Sequence, residues 1–136
     1  MPTSPLARVA AAVVGVEAIG VLALAGWQIV ALAGGDTDSA VSAIALIVLT
    51  VLGGAAVGAF ALGIWNGWSW GRSGGIVTQL LIIAVAIGAL TGGDAQPLIA
   101  LGLGIPALVV LGLLIVVARR AAADKKAADG GDDTGR

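Results

Sequence analysis

The chain has 136 residues, of which 59% are hydrophobic and only 11% are charged. Soluble domains carry about 25% charged residues, so this composition excludes an ordinary soluble domain and indicates a protein that lies in lipid. The net charge is -1, and the chain contains no Cys and no His, which excludes disulfides, thiol nucleophiles and the usual haem, zinc and copper sites. We therefore expect no cofactor and no metal.

Four apolar runs follow one another along the chain, at residues 9–32, 40–65, 72–90 and 98–118. A helix needs about 20 residues to cross a bilayer, and backbone in lipid must satisfy its hydrogen bonds within its own segment. These runs predict an all-α integral membrane protein, a four-helix bundle over residues 1–120. The third run is strictly apolar only from residue 75, and it reaches a full span if Arg72 extends its guanidinium to the headgroups.

The first run carries Glu17, the ionisable residue that lies deepest within any of the four runs. A charged Glu at this depth costs at least ~2.5 kcal/mol, so we expect the side chain to be neutral, paired or facing a polar cavity. A cleaved signal peptide is the alternative for this run, because Arg8 precedes an apolar stretch that contains small residues near its end. The length of the run and the presence of Glu17 favour a spanning helix.

The second run contains Gly54 and Gly58, which are spaced four residues apart. Small residues at this spacing let helix backbones approach closely, so both glycines are candidates for helix packing. Ala84 with Gly88, and Ala100 with Gly104, repeat the spacing in the later runs. A chain rich in Ala and Gly also produces such pairs by chance.

The segments 32–36 and 90–94 both contain Gly-Gly-Asp, and each separates one apolar run from the next. Two helical hairpins in direct repeat would produce this pattern. The alternative is that Gly-Gly-Asp is simply a good helix terminator, since Gly adopts the left-handed conformation that ends many helices.

The turn between the second and third runs holds Trp68, Trp70, Arg72 and Ser73. The tryptophans are expected to anchor the chain at the level of the lipid headgroups. A second hypothesis is that Arg72, Ser73 and the free amides at the start of the third helix hold the phosphate of an anionic lipid.

Gln79 in the third run is the polar residue that Glu17 could meet. If Arg8 and Arg72 mark the same membrane interface, a rise of ~1.5 Å per residue places Glu17 ~13 Å deep and Gln79 ~10 Å deep. A protonated Glu17 bonded to Gln79 would clamp two helices together. The alternatives are a contact between Glu17 and a partner subunit, and coupling of Glu17 to a proton or cation.

The basic residues show how the bundle is oriented. Arg8 precedes the first run, Arg72 lies between the second and third, and the other five Lys and Arg follow the fourth. The two remaining turns contain Asp but no Lys or Arg. The positive-inside rule then places both termini in the cytoplasm of a multi-pass protein of the cytoplasmic membrane. Residues 121–136 are charged, small and Gly-rich, and such a composition predicts a disordered cytoplasmic tail.

The segments 16–20, 68–72 and 78–81 carry a mid-helix Glu, an aromatic turn with Arg, and Thr-Gln-Leu-Leu. In these segments and in its Ala, Val and Gly bias, the chain resembles a set of small four-helix membrane proteins of unknown function that are common in actinobacteria. The resemblance covers roughly residues 8–120 and implies a topology rather than an activity.

Glu17, followed by Ile19 and Gly20, is also similar to the first helix of small multidrug resistance exporters, which have four helices and an essential membrane Glu. The present chain departs from that family because it has no Tyr, because its Trp residues avoid the third run, and because its charge bias favours a single orientation.

These features predict a non-enzymatic accessory or scaffold protein that packs against itself or against a larger membrane complex. The lipid bilayer is its expected partner, and nucleic acid is not. The alternative is a small proton-coupled exporter that works as an oligomer through Glu17. An enzyme is not expected, because the chain has no pair of nucleophile and base.

Overall fold

The computed structural model describes residues 3–93 and 95–132, and this part of the chain folds into four α-helices. They are α1 (Pro5–Ala33), α2 (Ala40–Trp65), α3 (Ser69–Thr91) and α4 (Pro97–Asp132). Each of the four is long and apolar enough to cross a membrane. The chain is therefore an integral membrane protein with four candidate spans, as the apolar runs predict.

Local caps determine where the first two helices begin and end. The Ser4 side chain accepts a hydrogen bond from the Ala7 amide at 3.2 Å, and Pro5 occupies the first turn, so α1 begins four residues before the predicted start at residue 9. Gly35 and Gly67 follow α1 and α2 with φ values of 78° and 76°. Both are left-handed caps that glycine adopts without strain.

The two Gly-Gly-Asp segments end their helices differently. After α1, the Asp36 amide donates to Ala31 O at 3.1 Å while Gly35 is left-handed, which is a Schellman cap. After α3, Gly92 has an extended backbone with φ −67° and ψ 164°. Asp94 lies outside the described residues. The same Gly-Gly-Asp sequence therefore does not adopt the same backbone conformation at the two helix ends. This difference favours the interpretation of the two segments as independent helix terminators.

Two further helix ends, besides the start of α1, differ from the sequence prediction. The α3 helix begins at Ser69 rather than Arg72. The α4 helix continues to Asp132 rather than ending near residue 118, so residues 121–132 are helical where a disordered tail is predicted. Five of the twelve residues at 121–132 are Ala, the best helix former, and two are Lys, and their propensity favours the helix although the side chains at 122–131 are exposed. Residues 133–136 lie outside the described part of the chain.

The helices pack as two antiparallel hairpins. The most extensive helix–helix interfaces are those between α1 and α2 and between α3 and α4. The interfaces between α2 and α3 and between α1 and α4 are smaller. We call the end that carries the N-terminus and the α2–α3 turn the basic end, because Arg8 and Arg72 lie there, and we call the opposite end the acidic end.

The main core lies in the half of the bundle nearest the basic end. Val14 of α1, Ile64 of α2 and Leu114 of α4 are at most 1% exposed there, and Ile76 of α3 packs against them. This core joins the two hairpins. Its other fully buried members are Ala7, Ala10, Ala11, Ala61, Val110 and Val117.

Towards the acidic end, each hairpin packs along a narrower stripe. Beyond Ala18, the buried and half-buried positions of α1 recur every three or four residues, at 21, 25, 28 and 32, which is the spacing of one helix face. The α3–α4 pair packs similarly through Ala86 and Ala100. Glu17 and Gln79 lie where the shared core gives way to these two stripes.

Candidate functional site

Glu17 lies in the middle of α1, between the main core and the narrower α1–α2 stripe. Its neighbours Val14 and Ala18 are buried, with 0% and 5% of their surface exposed. Glu17 itself is half-buried. The carboxyl group is therefore held at the edge of the packed interior rather than turned fully towards lipid.

Gln79 lies on the buried face of α3. Gly71 and Gly75 precede it at intervals of four residues, and all three are buried. Because residues four apart share a helix face, these glycines bring α3 close to the bundle and direct Gln79 inwards. Gln79 is 0% exposed, and it is the buried polar residue of the described core.

A hydrogen bond joins the two side chains. Gln79 Nε2 donates to Glu17 Oε2 at 2.6 Å. The bond links α1 to α3, two helices that belong to different hairpins and that have little other contact. The contact expected from the depths of the two residues is thus present in the structure, while its role as clamp or coupling site stays a prediction.

The amide of Gln79 is only half satisfied. Gln79 Oε1 is buried and has no hydrogen-bond partner within the described structure. An amide can turn over, so that Oε1 instead of Nε2 faces the carboxyl group. With Nε2 facing Glu17, the amide donates to an ionised carboxylate. With Oε1 facing Glu17, the amide accepts a hydrogen bond from a protonated carboxyl group. The pair can therefore accommodate both protonation states of Glu17.

The residues predicted to bind a lipid headgroup do not form a single site. Arg72 Nη1 donates to Gly67 O at 2.8 Å, and Ser73 Oγ donates to Ser69 O at 3.3 Å within its own helix. The rings of Trp68 and Trp70 stack with centroids 5.8 Å apart. Arg72 lines a cavity at the basic end, and none of the other three residues lines it.

The predicted packing glycines both face α1. A Cβ atom on Gly54 would lie 2.7 Å from Leu22 Cδ2 and 2.9 Å from Leu22 Cγ, and one on Gly58 would lie 3.7 Å from Ala18 Cβ. The Leu22 side chain therefore occupies the space that a side chain on Gly54 would need. By contrast Gly88, from another of the predicted pairs, has no neighbouring atom within 4 Å of such a position.

A closer contact, which the sequence pattern did not predict, joins Gly63 of α2 to Gly71 of α3. A Cβ atom on Gly71 would lie 2.5 Å from the backbone carbon of Gly63 and 2.6 Å from Ile64 N. The sequence pattern does not indicate Gly71 as a packing residue, because the predicted third helix begins after it, at Arg72. A start at Ser69 would have placed Gly71, Gly75 and Gln79 on one helix face.

Within the described residues there is no group of three or more His, Cys, Asp or Glu side chains that could hold a metal ion. The expectation that the protein is not an enzyme stays a prediction.

The chain matches no protein-family model, no curated protein and no solved structure. The resemblances to actinobacterial four-helix proteins and to small multidrug resistance exporters therefore remain hypotheses.

Proposed function

We propose that the protein is a non-enzymatic accessory or scaffold protein of the cytoplasmic membrane, which packs against itself or against a larger membrane complex. The observation that supports this function is the bond between Glu17 Oε2 and Gln79 Nε2. In this bond the Glu17 carboxyl group has its partner within the same chain, and the bond holds the two hairpins together. Such a bond between helices in lipid contributes about 0.6–2 kcal/mol.

The surface of the bundle also suits a protein that acts by association. Large apolar side chains cover all four helices, and Trp27, Val41 and Leu98 are at least 70% exposed. Lipid or a partner helix must cover this surface. Gly20 and Gly26 of α1 each have open space where a Cβ atom would lie, so another helix could approach the α1 backbone closely at either glycine.

The second candidate function is a small proton-coupled exporter that works as an oligomer through Glu17. The unpartnered Gln79 Oε1 favours it, because a pair that accommodates both protonation states of Glu17 can release and take up a proton without losing its contact. Glu17 is also only half-buried, which leaves part of the carboxyl group within reach of a solute.

Replacing Glu17 separates the two functions. Glu17→Gln keeps a hydrogen-bonding group opposite Gln79 and cannot release a proton, so under the scaffold function it should fold, accumulate and retain its partners. Glu17→Leu should be less stable by about 1–3 kcal/mol, because it leaves the Gln79 amide buried without a partner. Thermal unfolding in mild detergent, together with affinity purification and mass spectrometry, measures both effects.

Proton release from the purified protein on addition of tetraphenylphosphonium, a lipophilic cation, tests the exporter. Under the scaffold function there is no release from wild type. Release that Glu17→Gln abolishes, and that the control Asp36→Asn retains, would replace the scaffold function by the exporter.

A further inference from the structure

A cavity of about 540 Å³ lies at the basic end of the bundle. Three parts of the chain enclose it: the start of α1 with Thr3 and Ser4, the α2–α3 turn with Asn66 and Arg72, and α4 with Arg120 and Asp124. Cavities of this size commonly hold small molecules. The cavity is separate from the Glu17 and Gln79 pair, neither of which lines it.

Arg72 has donors to spare at this cavity. One of its N–H groups is used by the bond from Nη1 to Gly67 O at 2.8 Å. This bond holds the guanidinium against the α2–α3 turn, and a guanidinium has five N–H donors in total. The side chain is thus anchored in place and can still donate to a ligand.

Arg120 reaches the same cavity from α4, and its side chain has neither a hydrogen bond nor an ion pair in the part of the chain that the structure describes. Asp124 is the acidic residue of the lining, so two cationic groups face one anionic group there. The charge of the cavity is therefore positive, and the guanidinium groups come from different helices.

We propose that this cavity binds a phosphate group, through Arg72 and Arg120 together. The planar N–H groups of arginine match the oxygen atoms of a phosphate better than any other side chain does. Val117, one turn before Arg120, belongs both to the apolar core and to the cavity lining, so the cavity lies where the apolar span ends and lipid headgroups begin. A lipid headgroup and free phosphate share the chemistry that this site recognises.

Native mass spectrometry of the intact chain in mild detergent tests the proposal, with phosphatidylglycerol and phosphatidylcholine of identical acyl chains as probes. Wild type should retain phosphatidylglycerol in preference to phosphatidylcholine. Arg72→Gln and Arg120→Gln should each weaken the binding of phosphatidylglycerol about tenfold, as expected for loss of one charge-assisted contact. The matched control is Arg119→Gln, an exposed neighbour that does not line the cavity, with an effect below about twofold.

Competition with inorganic phosphate identifies the source of the ligand. Displacement of phosphatidylglycerol shows that phosphate alone is recognised, and retention shows that the lipid headgroup is required. Either result supports the site. Arg120→Gln loses no hydrogen bond of the described structure, so it provides the test even if Arg72→Gln fails to fold. Equal retention of both lipids, or an equal loss in Arg119→Gln, would overturn the proposal.

Discussion

Gly63 and Gly71 show how much one side chain decides in this bundle. The α2 and α3 backbones approach so closely that a Cβ atom on Gly63 would lie 2.8 Å from Gly71 Cα. Such a contact is with backbone, which cannot rotate away as a side chain can. In lipid, where burial of apolar surface does not drive helices together, close backbone contact is a main source of attraction.

We predict that Gly71→Ala lowers the free energy of unfolding in detergent by about 1–3 kcal/mol, because the added methyl group forces α2 and α3 apart. The control is Gly112→Ala in α4, where the glycine is exposed and a Cβ atom meets nothing within 4 Å. Thermal unfolding of the two variants beside wild type measures the difference. Equal stability would show that α2 and α3 do not approach through these glycines.

At the level of the helices, α1 and α2 form the most extensive pair. Gly54 packs there against the side chains of Leu22 and Val21 of α1. Its neighbour Gly53 is exposed and faces open space. Two adjacent glycines of one helix therefore have opposite environments, since successive residues of a helix point about 100° apart.

This contrast allows a matched pair of substitutions. Gly54→Leu should weaken the α1–α2 hairpin by about 1–3 kcal/mol, because the larger side chain would overlap Leu22. The side chain of Gly53→Leu would project about 100° away from that direction, into open space, and should leave the unfolding temperature near that of wild type. If the two variants melt alike, the close packing of α1 on α2 at Gly54 is wrong.

For the whole molecule, the distribution of charge predicts which way the bundle lies in the membrane. Arg8, Arg72, Arg119 and Arg120 lie at or beyond the basic end, while Asp36 and Asp38 lie at the acidic end. The proposed orientation, with both termini in the cytoplasm, depends on this difference. The candidate phosphate cavity would then face the cytoplasmic leaflet.

Reporter fusions test the orientation. A reporter that is active only in the cytoplasm should be active when fused after residue 136 and inactive when inserted within residues 34–39. Activity at residues 34–39 would contradict the orientation, and so would inactivity at residue 136.

The sequence by itself determined the four spans and the similar depths of Glu17 and Gln79, whereas their contact also required α1 and α3 to approach each other. The spans and the depths follow from local quantities, because the thickness of the bilayer sets the length of an apolar run and the rise of a helix sets the depth of each residue. The Ala and Lys content of residues 121–132 favours a helix, whereas the charged and Gly residues of the same segment are typical of disorder.

Only the tertiary structure decided which small residues pack and which basic residues converge. Gly54 and Gly88 stand in similar sequence patterns, yet Gly54 contacts α1 and Gly88 faces open space. Arg72 and Arg120 are far apart in the chain and line one cavity. The physical reason is the same in both cases. Helix periodicity determines which residues share a helix face, whereas the rotation and separation of the helices determine which residues of neighbouring helices contact that face.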